Sequence, residues 1–309
     1  MIQTVSRSML AVNESLLIQK SVIKNGGGKK SLCFVTGTHG DELEGQYLAY
    51  ILGSFLEENK DSLEGSVEIY PALNPMGIDS ITRGIPQYDI DMNRAFPGTR
   101  DGTFVDSICA DIVEDIAGAD ICIDVHSSNI YLREIPQIRI SAPTAETLLP
   151  YAKMMNVDFI WVHESATVLE STLAHSLNVR GTKTLVVEMG VGMRITKEYC
   201  RQLFDGIINL MKNIGMWKGE AEEVRDPIVS MDGAVEFVNS AAAGIFVPEV
   251  GFGETVESGQ HLGAVLDPLT GSCTAGIKAE RGGLVFTLRE YPIVYGGSLL
   301  ARILSHEIS

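Results

Sequence analysis

Between residues 31 and 215 the chain alternates short apolar runs with longer segments whose apolar positions recur at helical spacing. SLCFVTG (31–37) is a compact apolar run closed by glycine, the pattern of a buried strand. The segment after it carries Leu43, Tyr47, Ile51 and Phe55 four apart, which predicts a helix over 41–59 with that stripe turned inward. SVEIYPALNP reads as a strand that stops at Asn-Pro, and Val105, Ile108, Ile112 and Ile116 mark the face of a second helix. DICIDVH alternates as a strand and TKTLVVEMG is another buried one. Tyr199, Leu203, Ile207 and Leu210 carry a helix over 196–215. Residues 9–24 have the character of a hairpin ahead of this array. Strands alternating with helices imply an α/β fold, a mixed, mostly parallel sheet flanked by helices.

After about residue 222 helical periodicity stops. Short β-type runs separated by glycine-rich turns follow, as in AAAGIFVPEVGFGETVESGQHLGAVLDPLTG and AERGGLVFTLREYPIVYGGSLLARIL. The pattern divides the chain into an α/β unit over 1–222 and a C-terminal all-β domain, sandwich- or barrel-like, over 223–309. The boundary falls in the charged stretch KGEAEEVRD. The β region lacks the exposed lysine between small apolar residues that a biotinyl or lipoyl carrier needs, since Lys278 sits in AGIKAERGG. It is expected to cover the cleft or mediate assembly, and homo-oligomer formation is left open.

Composition narrows the partners. The 309 residues are 45% hydrophobic and 21% charged, an ordinary core-forming balance. The formal net charge of −16 argues against nucleic acid or an anionic membrane as the partner. There is no run of about 18 apolar residues to span a bilayer. The start, MIQTVSRSMLAVNESLLIQK, has no basic head followed by a continuous apolar stretch, so a cytoplasmic location is expected. Five dispersed cysteines without a CxxC pair suit reduced thiols, with Cys33 and Cys122 as core residues.

Four segments carry chemistry. GTHGDELEG (37–45) sits where a buried strand gives way to a helix, the place where open α/β sheets bind ligands. His39 and Glu42, three apart, can converge on one ion there. In ADICIDVHSSN, Cys122, Asp124 and His126 share one strand face, which delivers His126 to the same rim. Two histidines and one carboxylate leave the fourth position of a tetrahedral zinc open for water, the catalytic arrangement, and Asp124 is placed to orient a ligand from behind. A satisfied Asp–His pair at a strand end is the ordinary alternative. Glu188 ends an apolar strand and is placed to take a proton from water and return it to a leaving nitrogen; the plain alternative is a strand-end carboxylate capping a loop. ITRGIPQYDIDMNRAFPG brings Arg83, Asn93 and Arg94, groups suited to a carboxylate or a developing oxyanion, against the ordinary reading of ion pairs with Asp89 and Asp91.

In order, GxHGxE, NP with TR, DxNRxFPG, DxH and a late strand-end Glu-x-Gly resemble the succinylglutamate desuccinylase/aspartoacylase family, relatives of the zinc carboxypeptidases. The resemblance covers nearly the whole chain and implies a zinc carboxypeptidase-like sheet. It implies one Zn2+ held by His39, Glu42 and His126, with Glu188 as general base and acid. It also implies that Arg83 polarises the scissile carbonyl and that Asn93 and Arg94 hold a substrate carboxylate. The implied substrate is a small anionic N-acyl amino acid. One departure stands out: aspartoacylase has an arginine shortly before the catalytic glutamate where LESTLAHSLNVRGTK places Leu173, with Arg180 as the nearest arginine. That turns the expectation away from N-acetylaspartate and succinylglutamate, toward bacterial members that deacylate other N-acyl amino acids such as an acetylated diaminobutyrate.

Of the remaining histidines, His163 follows the apolar run DFIWV and is placed to approach the cleft, while His175, His261 and His306 read as surface residues; none is taken as a ligand. The same zinc chemistry would serve a metallocarboxypeptidase acting on short peptides. A non-catalytic metal- or ligand-binding protein is the third reading, and it gives no reason for Glu188 to be retained.

Overall fold

The computed structural model describes residues 1–164 and 170–305. The chain opens with β1 (Ile2–Met9) and β2 (Ser15–Asn25), an antiparallel hairpin that begins earlier than the expected residue 9. There follow β3 (Ser31–Thr36), α1 (Glu44–Glu58), β4 (Gly65–Tyr70), α2 (Pro75–Ser80), α3 (Phe104–Ile116) and β5 (Ile121–Ser127). Next come β6 (Leu132–Ser141), α4 (Ala145–Ala152), β7 (Phe159–His163), α5 (Leu173–Val179), β8 (Lys183–Gly190) and α6 (Lys197–Asn213). Beyond α6 the regular elements are strands and one short 3-10 turn. They are β9 (Ile228–Met231), β10 (Val235–Asn239), β11 (Gly244–Pro248), β12 (Thr255–Val256), β13 (His261–Asp267), β14 (Ser272–Lys278), β15 (Gly283–Arg289), β16 (Ile293–Val294) and β17 (Leu299–Ser305).

Local chemistry sets several boundaries. Asn74 caps α2 by accepting from the Gly77 amide at 2.8 Å, with Pro75 in the first turn, where a missing N–H costs nothing. Thr103 and Asp106 form a reciprocal capping box at the start of α3. The α1 face is rotated from the expected stripe. Leu48, Leu52 and Leu56 are fully buried, whereas Tyr47, Ile51 and Phe55 are its half-buried flank. The larger aromatic side chains can reach the core from the edge of the face, so spacing alone does not fix its centre.

Ten strands form a continuous path, β1-β2-β4-β3-β5-β8-β6-β15-β17-β10, with β7, β9 and β12 attached to its side. The sheet is mixed, as expected, but less parallel than expected: β4-β3-β5-β8 is parallel, as are β6-β7-β9, whereas the hairpin on one flank, β6 against β8, and the C-terminal strands on the other join antiparallel. β6 is the branch point; its first residues pair with β15 and its later ones with β7.

Helices cover both faces of the parallel centre. On one side α1, α4 and α6 pack on Phe34, Ile121, Ile123, Val125, Leu185 and Val187. On the other, α3 and α5 cover Cys33, Val35, Tyr70 and Cys122. Each central strand is buried on both faces, which explains why these segments read as unbroken apolar runs. Among the C-terminal strands, β10, β12, β15 and β17 continue the large sheet and pack across Phe246, Val265, Val285 and Ile303 against a second sheet, β14-β13-β11-β16. Among the described residues no helix is long and apolar enough to cross a membrane.

Leu52, wholly buried between α1 and the sheet, is remote from the polar rim. Leu52→Ala should cost about 2–5 kcal/mol of stability. Urea unfolding measures that loss.

Candidate metal centre and active site

β3 and β5 are parallel neighbours, so their carboxyl ends release the chain at the same rim. β3 ends at Thr36, Gly37 takes the left-handed conformation at φ +70°, and the chain turns to present His39. Gly40 lets this turn press on the α2 loop, since a Cβ there would lie 2.0 Å from the Gly77 carbonyl carbon. Glu42 follows just before α1, and β5 brings His126 beside them.

The three side chains meet in a buried pocket; His39, Glu42 and His126 are only 3–4% exposed. Glu42 lies between the imidazoles, Oε1 2.7 Å from His39 Nδ1 and Oε2 2.9 Å from His126 Nδ1. The two Nδ1 atoms are 3.2 Å apart. Among the described residues this is the one group of three or more histidine, cysteine or carboxylate side chains whose ligand atoms all fall within 4.8 Å of one another. Two ring nitrogens so close cannot both point protons into the same space without repulsion, and a shared cation removes that conflict. Two imidazole nitrogens and one carboxylate fit zinc and leave a position for a further ligand.

Carboxylates stand behind both rings. His39 Nε2 lies 3.0 Å from Asp91 Oδ1, and His126 Nε2 lies 3.3 Å from Asp124 Oδ1 and 3.3 Å from Asn93 Nδ2. A carboxylate beside each Nε2 favours the proton there and leaves Nδ1 to face an ion. Asp124 takes the orienting place expected of it. Asp91, expected only as an arginine partner, pairs with Arg83 and with His39.

Charge balance follows from burial and proximity. Burial raises the Glu42 carboxyl, but His39 and His126 outweigh it and hold Glu42 well below the usual carboxylate range. Burial pulls both imidazoles down, yet Glu42 with Asp91 raises His39, and Asp124 with Glu42 raises His126. The Glu188 carboxyl is raised by burial, which exceeds the opposing pull of Arg139.

Glu188 pairs in register with His126 on the adjacent parallel strand β8, so the two side chains emerge side by side at the rim. Its carboxyl is 16% exposed and accepts from Arg139 Nη1 at 3.2 Å. Arg83 donates from Nη1 to Glu42 Oε1 at 3.0 Å and is 42% exposed, placing a guanidinium at the open edge of the pocket. Asn93 is buried with its amide engaged: Nδ2 faces His126, and Oδ1 accepts from the Leu173 amide at 3.1 Å. Arg94 is exposed and donates to the Asn93 carbonyl at 2.7 Å. Leu173, the residue expected to stand in place of the arginine of aspartoacylase, opens α5 and is fully buried in the core.

His163 pairs with Asp232 at 3.0 Å, and burial and Arg139 lower its pKa to about 4. His261 is exposed beside Glu249, and His306 lies outside the described residues. Cys33 and Cys122 are core residues as expected. Arg139 was missed. The alternation of Gln137 and Arg139 with Ile138 and Ile140 along β6 carried a signal of polar side chains on one face.

A rim site with a buried two-histidine, one-carboxylate donor set and a neighbouring glutamate has the donors to hold a metal ion beside a carboxylate able to move a proton. The model of the succinylglutamate desuccinylase/aspartoacylase catalytic domain matches residues 29–214, and the chain belongs to that family. The chain is 28% identical over 288 residues to N-alpha-acetyl-L-2,4-diaminobutyric acid deacetylase of Halomonas elongata, a match that covers 90% of this chain and 82% of that one. The crystal structure of a succinylglutamate desuccinylase/aspartoacylase from Rhodobacter sphaeroides superposes with TM-score 0.83 at 25% identity, over 98% of this chain and 94% of that one. The product-bound ectoine utilization protein EutE (DoeB) of Ruegeria pomeroyi shares the fold, with TM-score 0.83 at 23% identity over 96% and 92% of the two chains.

Removing the carboxylate behind His39 with Asp91→Ala should weaken zinc binding about 10–100-fold, measured by chelator competition. Metal takes neutral imidazoles, and the raised pKa values of His39 and His126 let protons compete for both rings. Zinc affinity should therefore fall as pH drops, with protons released on zinc uptake in calorimetry performed in buffers of different ionisation enthalpy.

Proposed function

We propose that this protein is a zinc-dependent deacylase that hydrolyses the amide bond of a small N-acyl amino acid. The observation that carries the reading is Glu188 in register with His126, beside a buried donor set of His39, Glu42 and His126. Membership in the family and the deacetylase named among its relatives support the same reaction type.

A zinc ion, when bound, supplies Lewis acidity for the carbonyl and the water. The chain's own residues divide the remaining work. Glu188 accepts the proton of the attacking water and returns it to the departing nitrogen, a task suited to a carboxyl whose pKa is raised by burial. Arg83, half-exposed at the pocket edge, steadies the negative charge that develops on the carbonyl oxygen. Asn93 packs Nδ2 against the His126 ring and ties the start of α5 to the site, its Oδ1 accepting from the Leu173 amide. Arg94, exposed next to it, presents a guanidinium for the substrate carboxylate. With Leu173 in the core, α5 offers no guanidinium at that position to a second acidic group. This favours N-acetylated amino acids without an acidic side chain.

Glu188→Gln should retain zinc and lose about two or more powers of ten in turnover on the best N-acyl amino acid of a panel. Full activity in that variant would refute its role, and faster cleavage of short peptides than of N-acyl amino acids would point to a carboxypeptidase.

A further inference from the structure

A second set of charges lies across the sheet from the metal pocket. Glu134 on β6 is 1% exposed, and four side chains converge on its carboxylate. Arg139 Nη2 donates to Oε2 at 2.7 Å, Gln137 Nε2 donates to Oε2 at 3.0 Å, and Arg302 Nη1 and Thr287 Oγ1 donate to Oε1. Arg139 then reaches past Glu134 and donates from Nη1 to Glu188 at 3.2 Å. Arg302, Glu134, Arg139 and Glu188 thus alternate in sign and sum to zero, the condition under which ionised groups are tolerated away from water.

Strand register builds this chain. Glu134 pairs with Thr287 on β15, and Thr287 pairs with Arg302 on β17. On the other side of β6, Gln137 pairs with Glu188, which pairs with His126. Residues 134 and 137 would face opposite sides of a regular strand; a shift in register between them, at Ile135-Pro136, lets Gln137 meet Glu134. One row of polar groups consequently runs from the C-terminal strands to the metal pocket. Trp161 fills the space beside it, with the Arg139 and Arg302 guanidinium carbons 5.8 Å and 5.6 Å from its ring centre.

We propose that Arg302 and Glu134 act through Arg139 as positioning residues for Glu188, so that the C-terminal strands set the orientation of the carboxylate that handles the proton. The argument is one of charge balance. Glu134 is shared by two guanidinium groups, and Arg139 is shared by two carboxylates. Without Arg302, Arg139 becomes the only guanidinium left to Glu134 and is drawn toward it, away from Glu188. This inference rests on the amide-hydrolase reading of the site, and it goes further by assigning catalytic influence to residues from β6 and β17 that do not touch the metal pocket.

The test is steady-state kinetics on full-length, zinc-loaded Arg302→Gln, Arg139→Gln and the double variant, with the N-acyl amino acid that the wild type cleaves best. Arg302→Gln should lower kcat about tenfold with KM and zinc content unchanged, and the double variant should be no slower than Arg139→Gln alone, since coupled sites are not additive. Losses that multiply, or a lower melting temperature with unchanged kcat, would show a purely structural junction and overturn the proposal. Arg302→Lys keeps the charge and should stay within about threefold of wild-type kcat. If Arg302→Gln does not fold, a lysine variant that folds but loses activity as severely as Arg139→Gln overturns the proposal. A crystal structure of Arg302→Gln, or of Arg302→Lys if the former does not fold, gives a readout that needs no substrate: Arg139 detached from Glu188 in the glutamine variant, and still paired in the lysine variant, is the expected result. The opposite placement overturns the proposal. A wild-type protein that cleaves no amide would refute the functional reading, and the crystal structures would still decide the coupling.

Discussion

A carboxylate with 4% of its surface exposed, set between two imidazoles, is the constraint around which this site is organised. Glu42 can remain ionised there only because both its oxygens are taken by His39, His126, Arg83 and the Ser127 amide. The partners come from three stretches of chain, with His126 and Ser127 adjacent on β5, so the site exists only when the ends of β3 and β5 lie next to each other. Parallel pairing of these strands brings this about, and the glycines at 37 and 40 permit the turn it needs. The orienting carboxylates Asp91 and Asp124 extend the same logic outward, because each lies behind a ring whose front faces Glu42.

The C-terminal strands are bound to this centre by more than apolar packing. β15 and β17 continue the sheet beyond β6, and their Thr287 and Arg302 complete the buried polar row that ends at Glu188. Beneath it, Ile135, Phe159, Trp161, Phe286 and Leu304 form a shared apolar cluster. A buried ionic row inside an apolar junction has few alternative arrangements that keep every charge paired, so it fixes the register of the strands that carry it. The polar row and the metal pocket therefore share one sheet, with Glu188 as the residue common to both.

The opposite flank shows the same device without a link to the pocket. Lys20 is 7% exposed and sits between Glu68 and Asp115, with Tyr70 Oη 3.3 Å away, tying β2 to β4 and to α3. Burial disfavours the charged ammonium, but Asp115 and Glu68 more than offset it and raise its pKa. Its role is to satisfy charges where the hairpin closes over the sheet.

Much of the site was legible in the residues themselves. Strand-to-helix transitions and alternation placed His39, Glu42, His126 and Glu188 at one rim, because periodicity reports which face a side chain takes and where an element stops. Burial of Val105, Ile108, Ile112 and Ile116 followed from the same rule. What the residues did not reveal was long-range pairing: the antiparallel flanks, the branching of β6, and the rotation of α1 that puts Leu48 and Leu52 inward in place of Tyr47 and Ile51. Arg139, Glu134 and Arg302 are separated by up to 168 positions, and no local pattern announces that they meet. Spacing along the chain determines the face and end of each element, which is a local property of the backbone. Which elements become neighbours depends on satisfying buried charge and apolar surface together, and only the folded chain decides that.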